Sequence, residues 1–522
     1  MPTSQTLRVN LGGEPDAIDP NLAEFTNEIA VVRQVFDTLV LLDKDLNPIP
    51  GAAASWSTSS DGITWTFKIR DHKYSDGIPV KAQDFVFSFK RELDPLVAAP
   101  YASYFAGVIK GSAAYNNAQV SVPKNATSAK PTVTPAELQK LADAVGVKAA
   151  DDKTLVFTLE QPTPYFLDLV SLAVVPPLRQ DLVKQGWVDN VKNYIGNGPF
   201  VMLEHVPQDH MLFAPNPNYW GGAPKIGLDY RIITDTNAAF AAYQNGELEI
   251  IVPPRANVPN IKQDPTLSKE FQVNPALTIY WLLYEMKHKP LDNQKFRQAL
   301  SQAFDRESFI KDQFKGLGFP ATYFIPKGMP GFDPNGGAEY AFNIGKAKAS
   351  LQASGVNPAS LSLKLLLTNN PVVVQYAQYI QAMIKKNIGV NIQPAPQEAK
   401  ARVAAQKKHD FDLVWTGWGA DYPDPQDWFD IYLTGGGNNN GEYSNKQYDD
   451  LVKKADVEGD PKKRADLYSQ AAKILYADQP ALIMYQDVNF GLVKSYVHNL
   501  VPTAQDEILG DYFYKNVTIA SH

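Results

Sequence analysis

Apolar positions recur along this chain with two periods. Ile63, Trp65, Phe67 and Ile69 alternate with Thr64, Thr66, Lys68 and Arg70. Successive strand side chains point to opposite faces, so this predicts a half-buried strand. Asp61-Gly62 and Asp76-Gly77 flank it as turn signals. Ile29, Val32, Phe36 and Leu39 fall at helical spacing, as do Phe85, Phe89 and Leu93 after Ala82-Gln83-Asp84. Both sets predict amphipathic helices. Further strands are expected at 7–12, 154–159, 201–205, 210–214, 228–233, 249–252 and 279–284, and helices at 135–145 and 238–246. The stretch 112–136, rich in Ser, Ala, Asn, Thr and Pro, reads as an exposed excursion.

From about residue 290 the pattern becomes regular. Asp292 is expected to cap a helix carrying Phe296, Leu300, Ala303 and Phe304, and Asp305 the next one. Asn343 opens a helix that stops near Gly355. A strand at 361–367 follows, then a helix from Pro371 to Asn387 with Gly389 as its stop. A strand at 390–393, a helix at 397–407 and a strand at 411–415 complete a β-α-β-α-β series, which predicts a parallel sheet. Helices near 444–456 and 461–477 and a strand at 481–485 follow.

Ligands of such sheets sit beyond the carboxyl ends of strands. Here that end reads Trp415-Thr416-Gly417-Trp418-Gly419-Ala420-Asp421-Tyr422-Pro423-Asp424-Pro425. Glycines let a backbone come close to another molecule, and prolines fix the turn behind it. The tryptophans offer stacking surface and Asp421 a fixed charge. A core strand followed by an ordinary loop accounts for the same letters.

Composition narrows the classes. At roughly 100–200 residues per domain, 522 residues imply about three domains. The net charge is −7 with both signs mixed along the chain, so no basic face exists for nucleic acid. The absence of cysteine excludes disulfides and thiolate metal sites. No apolar run reaches the ~18 residues of a membrane span. The start, Met1-Pro2-Thr3-Ser4, lacks the basic and apolar regions of a signal peptide. That leaves a cytosolic protein or one whose export segment has been removed. There is no G-x-S-x-G, H-E-x-x-H or P-loop. No two of the seven histidines share a helix face; His205 and His210 belong to neighbouring strands. Asp421, Asp424 and Asp427 form a D-x-x-D-x-x-D series that suits calcium or paired-carboxylate hydrolysis, but Pro423 and Pro425 fan these side chains apart. No metal or cofactor is expected. Glu24, just before the first long helix, reads as a charge at the helix N-terminus.

Several stretches, in order, resemble one family. They are Glu14-Pro15 to Asp19-Pro20; Gly51 to Trp56 with Asp61-Gly62 and Phe67-Lys68-Ile69-Arg70; and Tyr74-Ser75-Asp76-Gly77-Ile78-Pro79-Val80 with Asp84-Phe85. Gly196-Asn197-Gly198-Pro199-Phe200, Asn218-Tyr219-Trp220, Phe296-Arg297-Gln298-Ala299-Leu300 and Asp305-Arg306-Glu307 follow. Last come the Gly417–Pro425 stretch and Tyr448-Asp449. The set is similar to the extracytoplasmic solute-binding proteins of ABC importers, family 5, the oligopeptide/dipeptide-binding group.

The resemblance implies an α/β fold of the periplasmic-binding-protein type II (cluster C) kind, with two hinged lobes and an extra inserted α+β domain. It implies domain I at 1–43, 178–275 and 491–522, domain II at 44–177, and domain III at 276–490. It implies a non-enzymatic, extracytoplasmic receptor, monomeric and lipid-anchored in its precursor, that hands peptides to membrane permease and ATPase subunits. By position, Asp421 would pair with the ligand's α-amine and Gly417 and Gly419 would offer backbone. Glu24, Phe25 and Thr26 would contribute from domain I. Trp418, Tyr280, Trp281 and Tyr485 are further ligand-binding candidates, Tyr485 at a strand end. Some peptide binders carry an arginine where this chain has Trp415, so a fixed ligand length is not implied. The alternatives are a receptor for an oligosaccharide or metal chelate, or a secreted hydrolase using Asp421 and Asp424.

Overall fold

The computed structural model describes residues 5–120 and 133–521. Part of the Ser/Ala/Thr-rich excursion, 121–132, lies outside the described residues; its start, Ser112–Asn116, is a short helix. The chain forms two compact units, Met1–Val273 with Phe490–His522, and Asn274–Asn489.

In the first unit, strand Thr6–Asn10 lies parallel to Gly227–Arg231 and to Ile250–Ile251. The antiparallel strands His210–Pro215 and Phe200–Val206 extend this sheet. Leu7, Val9, Val31, Val35, Leu228, Tyr230, Val493 and Tyr514 share its core. A separate four-stranded antiparallel sheet runs in the order Ala53–Thr58, Thr64–Ile69, Thr154–Thr158, Val147–Asp151. The alternation read at 63–69 is realised, with Trp65, Phe67 and Ile69 buried. Phe85, Phe89 and Leu93 of the helix Ala82–Glu92 and its C-cap are buried as expected, and Phe89 packs edge-on to Phe157 at 4.9 Å. The strand Val147–Asp151 escapes the sequence reading because only Val147 in it is buried.

The family-like stretch at 14–20 is a structural joint. Both Asp19 carboxylate oxygens accept from Arg91 at 2.7 Å, and Oδ2 also accepts from the Trp187 indole at 2.8 Å. Glu14 meets His205 at 2.7 Å.

In the second unit, strands Asn391–Gln397, Ser362–Thr368 and Leu413–Gly419 are parallel, as the β-α-β-α-β pattern requires. Strand Phe271–Tyr284 joins antiparallel to Leu413–Gly419. Helices Gln294–Ala303, Arg306–Gln313, Ile344–Ser354 and Pro371–Ile388 supply the side chains that pack over Leu282, Leu365 and Leu413. Asp305 and Asn343 cap as expected. Asp292 does not cap: Asn293 accepts from the backbone of Lys295 and Phe296 instead. Gly389 ends its helix in the left-handed region at φ 77°.

Candidate ligand-binding site

The strand expected to stop at Trp415 continues to Gly419. Neither Gly417 nor Gly419 has a positive φ, so turn geometry does not demand glycine at either position. Register gives the reason at Gly417. It lies opposite Tyr280, and a Cβ there would meet Tyr280 Cδ1 and the Ile279 carbonyl oxygen, both at 2.7 Å. The Tyr280 ring occupies the space that a side chain would fill. Gly419 is looser: a Cβ would meet only Thr278 Oγ1, at 3.1 Å.

Only one edge of this segment is fully paired. Thr416–Gly419 pair with Thr278–Trp281 on one side. On the other side the parallel strand Ser362–Thr368 pairs only with Leu413 and Val414. Among the described residues no strand pairs with that second edge of residues 415–419.

Strand alternation separates the aromatic candidates. Tyr280 and Trp415 belong to the face packed by the helices. Trp415 lies 6.2 Å from Tyr376, near parallel to it, and 6.4 Å from Phe309. Trp281 points the other way. It is 2% exposed and packs against Trp428, Tyr432 and Phe324. It therefore presents no open ring beside Tyr280, because neighbouring strand residues face opposite sides. Tyr485 is also buried, stacked under Tyr280 at 5.0 Å and against Phe314 at 4.5 Å. It sits inside the long strand Ala481–Val493, not at a strand end, and supports Tyr280 from below.

Asp421 follows the strand and is partly exposed. The loop after it is braced twice. Asp424 forms a two-pronged pair with Arg464 at 2.6 and 2.7 Å and accepts from the Gln426 backbone at 2.8 Å. Asp427 accepts the Trp418 indole N–H at 2.9 Å and the Asp421 backbone N–H at 3.2 Å, both on Oδ2. Burial, then the charge of Asp421, push the Asp427 carboxyl well above the ordinary carboxylate range. The three aspartates thus have different surroundings. Asp424 is committed to a guanidinium and Asp427 to bracing, which leaves neither placed as a calcium ligand or as a second acid for hydrolysis. The sequence reading singled out Asp421 but missed the Asp427 and Arg464 braces. The six-residue interval from Asp421 to Asp427 was the only signal for the first.

Glu24, Phe25 and Thr26 lie together in the first unit, all exposed, at the start of helix Thr26–Val35. The capping role read for Glu24 belongs to Glu28. The Glu28 carboxylate accepts from the backbone of Glu24 at 2.7 Å, Phe25 at 3.0 Å and Ala17 at 3.0 Å. Elsewhere, Glu285, His409 and Glu442 bring three possible metal-ligand atoms within 4.8 Å of one another. Those carboxylates are already paired, Glu285 with His409 at 2.8 Å and Glu442 with Lys287 at 3.1 Å.

Comparisons with known proteins give the family and the fold. The oligopeptide-binding protein OppA of Bacillus subtilis is 31% identical over 92% of this chain and 87% of its own length. The structure of the Escherichia coli murein tripeptide binding protein MppA superposes with a TM-score of 0.79 at 28% identity, covering 99% of each chain. Haemophilus influenzae OppA in complex with the peptide RPPGFSPFR gives 0.75 at 28% identity, again over 99% of each chain. The fold is the type II solute-binding fold of these proteins. Residues 47–440 match the profile of the bacterial extracellular solute-binding proteins, family 5, and the chain belongs to that family, in its oligopeptide/dipeptide-binding group.

Proposed function

We propose that this chain captures peptides and delivers them to the permease and ATPase subunits of an ABC importer. The observation that carries the reading is the unpaired strand edge at 415–419, which leads directly into Asp421. An extended peptide adds to such an edge by main-chain hydrogen bonds, which tolerate sequence variation. Gly419 leaves the edge bare, and the Asp421 carboxylate receives the peptide α-amine. Trp418, held by Asp427, fixes the approach, and Trp415 borders a side-chain position where an arginine would have read a carboxylate. Glu24, Phe25 and Thr26 are proposed as a second group of contacts from the first unit; Phe25 is 56% exposed. The reading keeps 44–177 as an inserted domain carrying the four-stranded sheet. Its relatives are solute-binding proteins, which fits a receptor and not an enzyme.

Removing one partner of a well-formed ion pair costs about 3–5 kcal/mol when the pair is buried and less when water reaches it. Asp421→Ala is therefore expected to weaken peptides with free N-termini at least tenfold and N-acetylated peptides little, by calorimetry. Equal affinity of the unmutated protein for the two peptide forms would remove the amine contact. Native mass spectrometry of the purified protein is expected to show a ladder of peptide masses. A retained sugar or metal chelate would overturn the peptide reading.

A further inference from the structure

Asp427 is 3% exposed, yet it sits at the hub of the proposed amine site. Its Oδ2 takes two donors from the strand end, the Trp418 indole and the Asp421 backbone. Its Oδ1 is buried with no protein hydrogen-bond partner. A buried carboxylate anion with one bare oxygen is costly, whereas the neutral acid in the same place is much less so. The charged groups that raise the Asp427 carboxyl include Asp421 and Asp430, both acidic. The guanidinium of Arg464 pairs with Asp424.

We propose that Asp427 is the positioning residue of the amine site: it braces Trp418 and Asp421 through a single oxygen as a neutral acid, so that the negative charge offered to a ligand rests on Asp421 alone. This rests on the reading of Asp421 as the amine contact. Burial and the Asp421 charge both raise the Asp427 carboxyl, in keeping with the neutral form. Ionised, the two carboxylates would repel each other. A neutral acid holds the loop and leaves the field of Asp421 undivided.

The proposal separates two substitutions. Asp427→Asn keeps an acceptor oxygen and the neutral state. It should bind a free-amine tripeptide within about threefold of the unmutated protein and keep the preference for free over N-acetylated peptide. Asp427→Ala removes the brace and should lose most of that preference, by an order of magnitude or more. Stability supplies a second readout that does not need the ligand. The folded chain holds a proton on Asp427 that the unfolded chain releases above its ordinary carboxylate range. Stability therefore falls as pH rises beyond that point, and Asp427→Asn removes this slope. The melting temperature of Asp427→Asn should thus gain on the unmutated protein between pH 4 and pH 7. An Asp427→Ala protein that still discriminates the two peptides as the unmutated protein does would overturn the inference. So would an Asp427→Asn protein that gains nothing over this pH range. If the unmutated protein itself fails to discriminate, the amine reading falls first and takes the inference with it.

Discussion

Tyr280 fills the place of a side chain at Gly417: a Cβ on the glycine would stand 2.7 Å from the Tyr280 ring. Tyr280 is itself held from below by Tyr485, 5.0 Å away and nearly parallel. Gly417 is thus a packing requirement before any ligand arrives. Gly417→Ala is expected to lower stability by about 1–3 kcal/mol, the usual cost of overpacking, in urea unfolding. In a Tyr280→Ala background the cost of Gly417→Ala should shrink and not vanish, because the Ile279 carbonyl stands at the same distance. A Gly417→Ala protein as stable as its parent would show that the ring moves aside freely.

The Asp424–Arg464 pair ties the loop behind Asp421 to helix Pro461–Asp478, with only 12% and 10% of the two side chains exposed. Arg464→Ala leaves Asp424 buried without its guanidinium, and should cost about 3–5 kcal/mol. Asp424→Asn with Arg464→Met, which removes both charges, should cost far less. A chemical-denaturation series on the single and double variants decides this; a double-variant loss equal to the sum of the single losses would mean that the pair contributes no coupling.

One half-buried acid outside the site predicts a pH effect. Asp456 accepts from Tyr468 at 2.8 Å and burial raises it from 3.8 to about 7. Between those values the folded chain keeps a proton that the unfolded chain has lost. Stability therefore declines as pH rises through this window and levels off above about 7. Asp456→Asn keeps the acceptor for Tyr468 without the proton, so its stability relative to the parent should rise by about 3 kcal/mol from pH 4 to pH 7. Parallel melting curves for the two proteins across that range would refute the assignment.

Periodicity made much of the fold legible. The alternation at 63–69, the helical stripe of Phe85 and Phe89, and the parallel series after Asn343 all follow from rules of spacing and stop signals. Spacing says less about which neighbour completes a contact. Asp292 and Asn293 are equally good caps on paper, and only the backbone geometry selects Asn293. Gly417 and Gly419 read as a strand break because the residue that explains Gly417, Tyr280, lies on another strand. Tyr280 and Trp281 both read as ligand-binding candidates although pleating sends them to opposite sides. Glu24 was credited with the work of Glu28, one helical turn along. Asp421 stood out because ordered motifs point to it. Asp427 did not, because its role depends on two donors that converge only in three dimensions.

The first unit is assembled from both ends of the chain, whereas the second is continuous from Asn274 to Asn489. Ile250 and Ile251 pair with Val493 and Leu492, and Tyr514 is fully buried in the same core as Val9 and Val31. Synthesis runs from the N-terminal side, so the earlier-made part of this unit waits for the later one before its core can close. A chain ending at Asn489 should protect amides across Leu363–Leu367 from hydrogen exchange while those of Leu7–Val9 exchange freely. The nascent protein thus passes through a stage in which the Asp421-bearing unit is complete and its older companion is still exposed apolar surface.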